Sequence, residues 1–125
     1  MREEIQFYRC NICGNFVESI KIGGGQMVCC GQPMEKLAAN TTEAAVEKHL
    51  PVAERKDGAL HIKVGSVEHP MTEAHYIEWI AVVYATGIHR VILSPGDKPE
   101  TVLCDREKAD IYAYCNLHGL WKTTI

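Results

Sequence analysis

Cys10-Asn-Ile-Cys13 and the adjacent pair Cys29-Cys30 place four thiols in the first thirty residues of the chain. Four thiolates make a tetrahedral site for zinc or iron. The two-residue gap of the first pair lets both sulfurs face one ion. The side chains of Cys29 and Cys30 start in different directions, so a distorted tetrahedron is expected. The spacing leaves two chemistries open, a structural zinc and a one-electron iron.

A second donor set lies in the remainder: His49, His69, His75, Cys115 and His118. His49 stands just before Pro51, His69 before Pro70, and His75 at the start of an apolar run. His118 is three residues after Cys115, so one turn can aim both at one metal. A single histidine at a loop end is more often a satisfied surface residue than a ligand. Four of them with a cysteine, all at the ends of expected strands, suit a site assembled from loops on a rigid scaffold. His61 falls in mid-strand and His89 follows a turn, so neither is included. Cys104 has no partner at metal spacing and is expected to be a buried or partly buried thiol. Imidazole suits iron, copper, nickel and zinc alike. Five donors exceed the needs of a structural zinc and leave one position open on an octahedral ion. A thiolate opposite that position would push electron density toward whatever binds there, as in thiolate-ligated haem. Such a site is suited to reducing a small oxygen species.

The elements that must position these residues fall into two parts. Residues 1–37 form a first unit, with a strand over 16–22 and a Gly23-Gly24-Gly25 turn. Gly14 and Gly31, each just after a cysteine pair, allow tight turns that point backbone N–H groups at thiolates. So short a segment buries little apolar surface and is expected to depend on its metal to fold. Residues 38–125 form the second unit. A link and short helix over 38–48 begin with an Asn40/Glu43 capping box and end at or before Leu50, ahead of Pro51. Strands are expected over 52–56 and 60–64, joined by Asp57-Gly58, a strong hairpin signal. Another runs over 76–86, with Ile77, Trp79, Ala81 and Val83 on one face. Strands over 88–94, 101–104, 111–115 and 120–125 complete about seven. That spacing predicts an antiparallel β-sandwich, so the fold class is mainly β.

Composition removes other functions. The 125 residues carry 13 basic and 16 acidic groups, a net charge of −3 with histidines neutral. That balance gives no basic footprint for nucleic acid. The polar start, Met1 to Cys10, lacks the apolar run of a secretory signal, and no stretch is long enough to span a bilayer. A cytoplasmic protein is expected, in which six cysteines serve as metal ligands better than as disulfides.

The two donor sets together resemble desulfoferrodoxin, the two-iron form of superoxide reductase. The resemblance covers the whole chain. It rests on Cys10-x-x-Cys13 with Cys29-Cys30, then Glu47-Lys48-His49-x-Pro51, His69-Pro70, His75 and Cys115-Asn-x-His118-Gly119. It implies a desulforedoxin-like Fe(Cys)4 domain and an immunoglobulin-like sandwich with an Fe(His)4(Cys) centre. In that centre His49, His69, His75 and His118 would be equatorial and Cys115 axial. The implied activity is one-electron reduction of superoxide to hydrogen peroxide, without dismutation, in oxygen-stress detoxification. The implied partners are superoxide, rubredoxin or a similar small redox protein as donor, and a second copy in a homodimer. Lys48 would attract the anion and Glu47 would close over the oxidised iron; on the residues alone both are a solvated helix end. Two other readings stand beside this one. A zinc-binding adaptor would be colourless, and a pure electron carrier would show no open-site reaction with superoxide.

Overall fold

The computed structural model of the chain describes residues 4–106 and 108–125; the first three residues of the polar N-terminal stretch lie outside them. The chain divides into two compact units, Met1–Ala38 and Ala39–Ile125. Each is described by itself.

In the first unit β1 (Phe7–Arg9) pairs antiparallel with β2 (Phe16–Glu18) on one side and β5 (Glu35–Lys36) on the other. Between them β3 (Val28–Cys29) and β4 (Gln32–Pro33) form a hairpin. The expected strand over 16–22 stops at Glu18, because Ile20 beyond it is 91% exposed and has nothing to pack against. The unit's buried apolar residues are few, Ile5, Phe7, Cys10 and Met34 among those described. Cys29 pairs with Gln32, so Cys30 and Gly31 are the two turn residues, with φ of 53° and 73°. Positive φ at both central positions is the type I′ turn, whose twist matches a hairpin. This turn solves the geometry of adjacent cysteines, since it swings the Cys30 side chain back toward Cys29.

The second unit is a sandwich of two antiparallel sheets. One orders β10 (Glu100–Cys104), β7 (Ala59–Val64) and β6 (Pro51–Lys56). The other orders β12 (Gly119–Thr124), β11 (Asp110–Cys115), β8 (Ile77–Tyr84) and β9 (Gly87–Ile92). These strands lie within two residues of the expected bounds, and Asp57-Gly58 joins β6 to β7 with φ of 52° and 74°. The core between the sheets comprises Leu60, Ile62 and Val64 of β7, Ile77, Ile80, Val82 and Tyr84 of β8, and Ile111, Ala113 and Cys115 of β11. Burying each large aliphatic contributes about 1.5–3 kcal/mol. A bond from Thr123 Oγ1 to the Pro51 carbonyl, 2.7 Å, ties β12 to β6. No helix among the described residues is long and apolar enough to cross a membrane.

Three expectations are corrected. Helix α1 is a single turn, Val46–His49, with Ala45 at its N-cap and no side-chain cap. Asn40 caps nothing there. It takes φ of 62° and its side-chain amide exchanges two bonds with the Lys122 backbone, 3.0 and 2.9 Å, docking the link beside β12. On β8, Ile77, Trp79, Ala81 and Val83 do not share one face. Trp79 pairs with Tyr114, but the next pair is Ile77 with Cys115, so Glu78 is an extra residue. That bulge flips the parity and puts Ile77 with Ile80 and Val82 in the core. Trp79 turns to the other face and stacks on Tyr114, 5.9 Å between ring centres, while Val83 is only half-buried. Cys104, expected to be at least partly buried, is exposed at the end of the outer strand β10.

Candidate metal centres

The register places the second donor set at one end of the sandwich. Pro51 opposes Val64, Ile77 opposes Cys115, and Cys115 opposes Gly119. The start of β6, the end of β7, the start of β8 and the β11–β12 turn therefore meet. His49 ends α1 just before β6, His69 and His75 sit on the β7–β8 loop, Cys115 ends β11 and His118 lies in the turn after it.

There the four imidazoles form a ring. Neighbouring centroids are 4.6 Å (His49–His69), 4.6 Å (His69–His75), 5.0 Å (His75–His118) and 4.9 Å (His118–His49), each pair near perpendicular. The His49–His75 diagonal is 6.2 Å. One donor atom from each of His49, His69, His75 and Cys115 lies within 4.8 Å of the others. His118 completes the set by its Nδ1, 3.1 Å from His49 Nε2 and 3.9 Å from Cys115 Sγ.

Outer contacts fix which nitrogens turn inward. His49 Nδ1 lies 2.7 Å from the Ala45 carbonyl and His69 Nδ1 2.6 Å from the Pro70 carbonyl. A carbonyl only accepts, so both Nδ1 atoms carry the proton and both Nε2 atoms present lone pairs, 3.1 Å apart. His75 Nε2 is buried and has no hydrogen-bond partner. Two lone-pair nitrogens and a thiol crowded together, with a third nitrogen orphaned, fit a cation and little else.

Burial favours that state electrostatically. Desolvation pushes the His69 imidazole down to about 4 and lowers His49 and His75 as well. They are neutral at neutral pH, the form in which an imidazole nitrogen can take up a cation. Burial pushes the Cys115 thiol up, partly opposed by the N–H groups of Leu117 and His118, so a bound cation is what would hold it as thiolate.

Glu47 and Lys48 are exposed on α1, immediately before His49. The Lys48 charge helps lower His75, and the Glu47 charge acts in the opposite sense on His49. His61 and His89 are exposed on β7 and β9, away from the ring.

Two supporting residues escaped the sequence reading. Asn116 accepts from the Tyr76 N–H, 2.9 Å, and donates to the Ala74 carbonyl, 3.0 Å, so it grips both neighbours of His75 and locks that loop to the Cys115 turn. Buried Trp121 stacks on His49, 5.1 Å between centres, and its indole N–H donates to the His118 carbonyl, 3.1 Å. The polar residue between Cys115 and His118 was a signal for the first. Nothing in the spacing marked the second.

In the first unit the four sulfurs of Cys10, Cys13, Cys29 and Cys30 lie within 4.8 Å of one another. Cys13 and Cys29 are 3.6 Å apart, and Cys29 and Cys30 3.9 Å. Backbone N–H groups of Cys13 and Ile12 pull the Cys10 thiol down to about 6. The crowding of sulfurs, Cys13 and Cys10 foremost, pushes Cys30 up to about 12 and raises Cys29. One thiolate forms readily and repels the next, a conflict that a bound cation removes. The N–H of Asn15 also approaches Cys13 Sγ at 3.4 Å.

Comparison with known proteins agrees with this arrangement. The desulfoferrodoxin family model matches residues 41–124, and the model for the desulfoferrodoxin N-terminal domain matches residues 2–37. The chain is 52% identical over 126 residues to the desulfoferrodoxin homolog of Archaeoglobus fulgidus, covering 98% of this chain and 99% of that one. It is 33% identical over 99 residues to the superoxide reductase of Pyrococcus abyssi, covering 63% of this chain and 86% of that one. The crystal structure of the superoxide reductase from Treponema pallidum aligns with a TM-score of 0.77 at 31% identity, over 97% of this chain and 99% of that one. With both of its metal-site segments and nearly its full length matched, the chain belongs to the desulfoferrodoxin family.

Proposed function

We propose that this chain is a superoxide reductase that takes superoxide, one electron and two protons to hydrogen peroxide, without releasing dioxygen. The observation that carries the reading is the ring of four imidazoles closed by the Cys115 thiol, with His75 Nε2 buried and without a hydrogen-bond partner. The names of the Pyrococcus abyssi and Treponema pallidum proteins support it. His49, His69, His75, His118 and Cys115 would hold an iron in the second unit, and Cys10, Cys13, Cys29 and Cys30 an iron in the first. The iron in the histidine ring would supply the electron and an open position for the substrate.

The chain's own residues do the rest. Outer bonds at His49 and His69 keep both Nε2 atoms free of protons and fixed in direction. His75 and His118 are half-buried rather than sealed, so water and protons reach the site. Lys48 would attract the anion and order water near it. Glu47 would cover the open face when the iron is oxidised. Rubredoxin or a similar small redox protein would return the electron, and the working form would be a cytoplasmic homodimer.

The test is stopped-flow or pulse-radiolysis mixing of the reduced, iron-loaded full chain with superoxide. One superoxide should be consumed per reduced histidine-site iron, with hydrogen peroxide formed and no dioxygen evolved. Dioxygen in equal amount with the peroxide, or no reaction, would reject the reading.

A further inference from the structure

The β7–β8 loop does more than carry two histidines, because its first residue lies against the backbone of α1. Gly65 is buried, and a Cβ built on it would stand 2.5 Å from the Glu47 carbonyl oxygen and 2.9 Å from the Lys48 carbonyl carbon. Real Cβ contacts do not come so close, and both obstacles are main-chain atoms that cannot swing aside. Gly65 lacks the positive φ that would itself demand glycine, so the demand here is purely one of space.

The same carbonyl is held from two sides. The Val67 N–H donates to the Glu47 carbonyl at 2.8 Å and the Ser66 hydroxyl donates to it at 3.2 Å. The loop is closed on itself by bonds from Gly65 N–H to the Val67 carbonyl, 3.3 Å, and from His69 N–H to the Val64 carbonyl, 3.0 Å. Helix α1 has little of its own to resist displacement. It is one turn long, lacks a side-chain cap, and is closed by bonds from Lys48 N–H to Ala45 and Leu50 N–H to Val46. Isolated turns of this length do not hold their shape in water. The position of the Glu47–Lys48 peptide is therefore set from outside.

We propose that Gly65, Ser66 and Val67 form a cradle that fixes the Glu47–Lys48 peptide, and that Gly65 is a positioning residue for the Lys48 ammonium at the mouth of the histidine ring. The link to catalysis rests on the reading that Lys48 steers superoxide. The rings have restraints of their own besides the cradle: His49 is held by Ala45 and Trp121, and His69 by Pro70. A methyl group at position 65 displaces the peptide first.

The test uses the iron-loaded full chain in four forms: wild type, Gly65→Ala, Lys48→Ile and the double variant. The first readout is amide exchange at Val67, which is independent of turnover. Gly65→Ala should speed it about tenfold, the loss of one backbone bond. The second is the rate of reaction with superoxide across salt. Gly65→Ala should slow that rate and flatten its salt slope while iron content and visible spectrum persist, and the double variant should be no slower than Lys48→Ile. Effects that multiply in the double variant, or Val67 exchange at the wild-type rate, would overturn the cradle. If Lys48→Ile alone leaves the superoxide rate and salt slope unchanged, the steering reading fails, and Val67 exchange still decides the cradle. Should Gly65→Ala not fold, Ser66→Ala removes one donor from the Glu47 carbonyl without any steric demand. It should speed Val67 exchange about threefold, and exchange at the wild-type rate would reject the proposal.

Discussion

At the scale of single residues, the two atoms that matter most to the proposed chemistry are Cys115 Sγ and Lys48 Nζ. Sulfur donates electron density far better than oxygen, so Cys115→Ser replaces a soft ligand by a hard one on the same stem. The thiolate-to-iron absorption of the oxidised histidine site should vanish and superoxide reduction should collapse. Survival of both would reject a thiolate role for Cys115, and Cys104 offers no substitute, because it pairs with Ala59 at the far end of β7 from the ring. In the proposed mechanism Lys48 would act at a distance. The chain carries a net charge of −3, so its average field repels an anion. A local cation beside the ring offsets this, and the Lys48 charge is already felt at His75. Lys48→Ile should slow the bimolecular step with superoxide on the order of tenfold and flatten its ionic-strength dependence. The spectrum should stay near wild type, because Lys48 has no place in the ring. Glu47→Ala should leave that step nearly unchanged and alter the oxidised resting state. A wild-type rate and salt slope in Lys48→Ile would return the residue to a solvated helix end.

At the scale of elements, the sandwich is a device for bringing three loops to one end, and β8 is its centre. Ile80 is fully buried in the layer between the sheets. Ile80→Ala should cost about 2–5 kcal/mol, read as a lower midpoint in denaturant for the second unit, while the thiolate absorption of the first unit persists at denaturant concentrations that melt the second. The strands themselves were legible in the sequence, because β-branched runs broken by Asp57-Gly58 and Pro95-Gly96-Asp97 leave few other readings. The side of β8 that each residue faces was not. A central strand buried on both faces has no polar alternation to read, and the bulge at Glu78 shifts the parity where Ile77 meets Cys115. The helix was misread for a related reason. Asn40 and Glu43 have capping-box spacing, but tertiary bonds from Asn40 to the Lys122 backbone outcompete a local cap. The histidines were legible because polar rings just before prolines and at strand ends have no packing role. Gly65 was not, since its reason is a backbone 18 residues away in sequence.

At the scale of the whole molecule, the two donor sets do not interleave. Cys10 to Cys30 lie in Met1–Ala38, and His49 to His118 in Ala39–Ile125. Each unit then has its own reason to fold. The second has a continuous apolar core between two sheets. The first has few buried apolar residues and gathers four thiols whose mutual repulsion a cation relieves. Metal binding and folding are expected to be one event in a segment so poor in core. Cys13→Ser removes the sulfur that lies 3.6 Å from Cys29 and whose neighbourhood raises Cys30. The first unit should lose its iron, its visible absorption and its protease resistance together. The second should keep its absorption and, with an artificial electron donor supplied, most of its reaction with superoxide. Iron analysis should fall from about two ions per chain to about one, the number that one intact donor set can hold. Loss of the histidine-site spectrum in Cys13→Ser would mean that the second unit cannot fold without the first, despite its own core. Loss of superoxide reduction with that spectrum intact would instead place the four-thiol iron on the route of the electron.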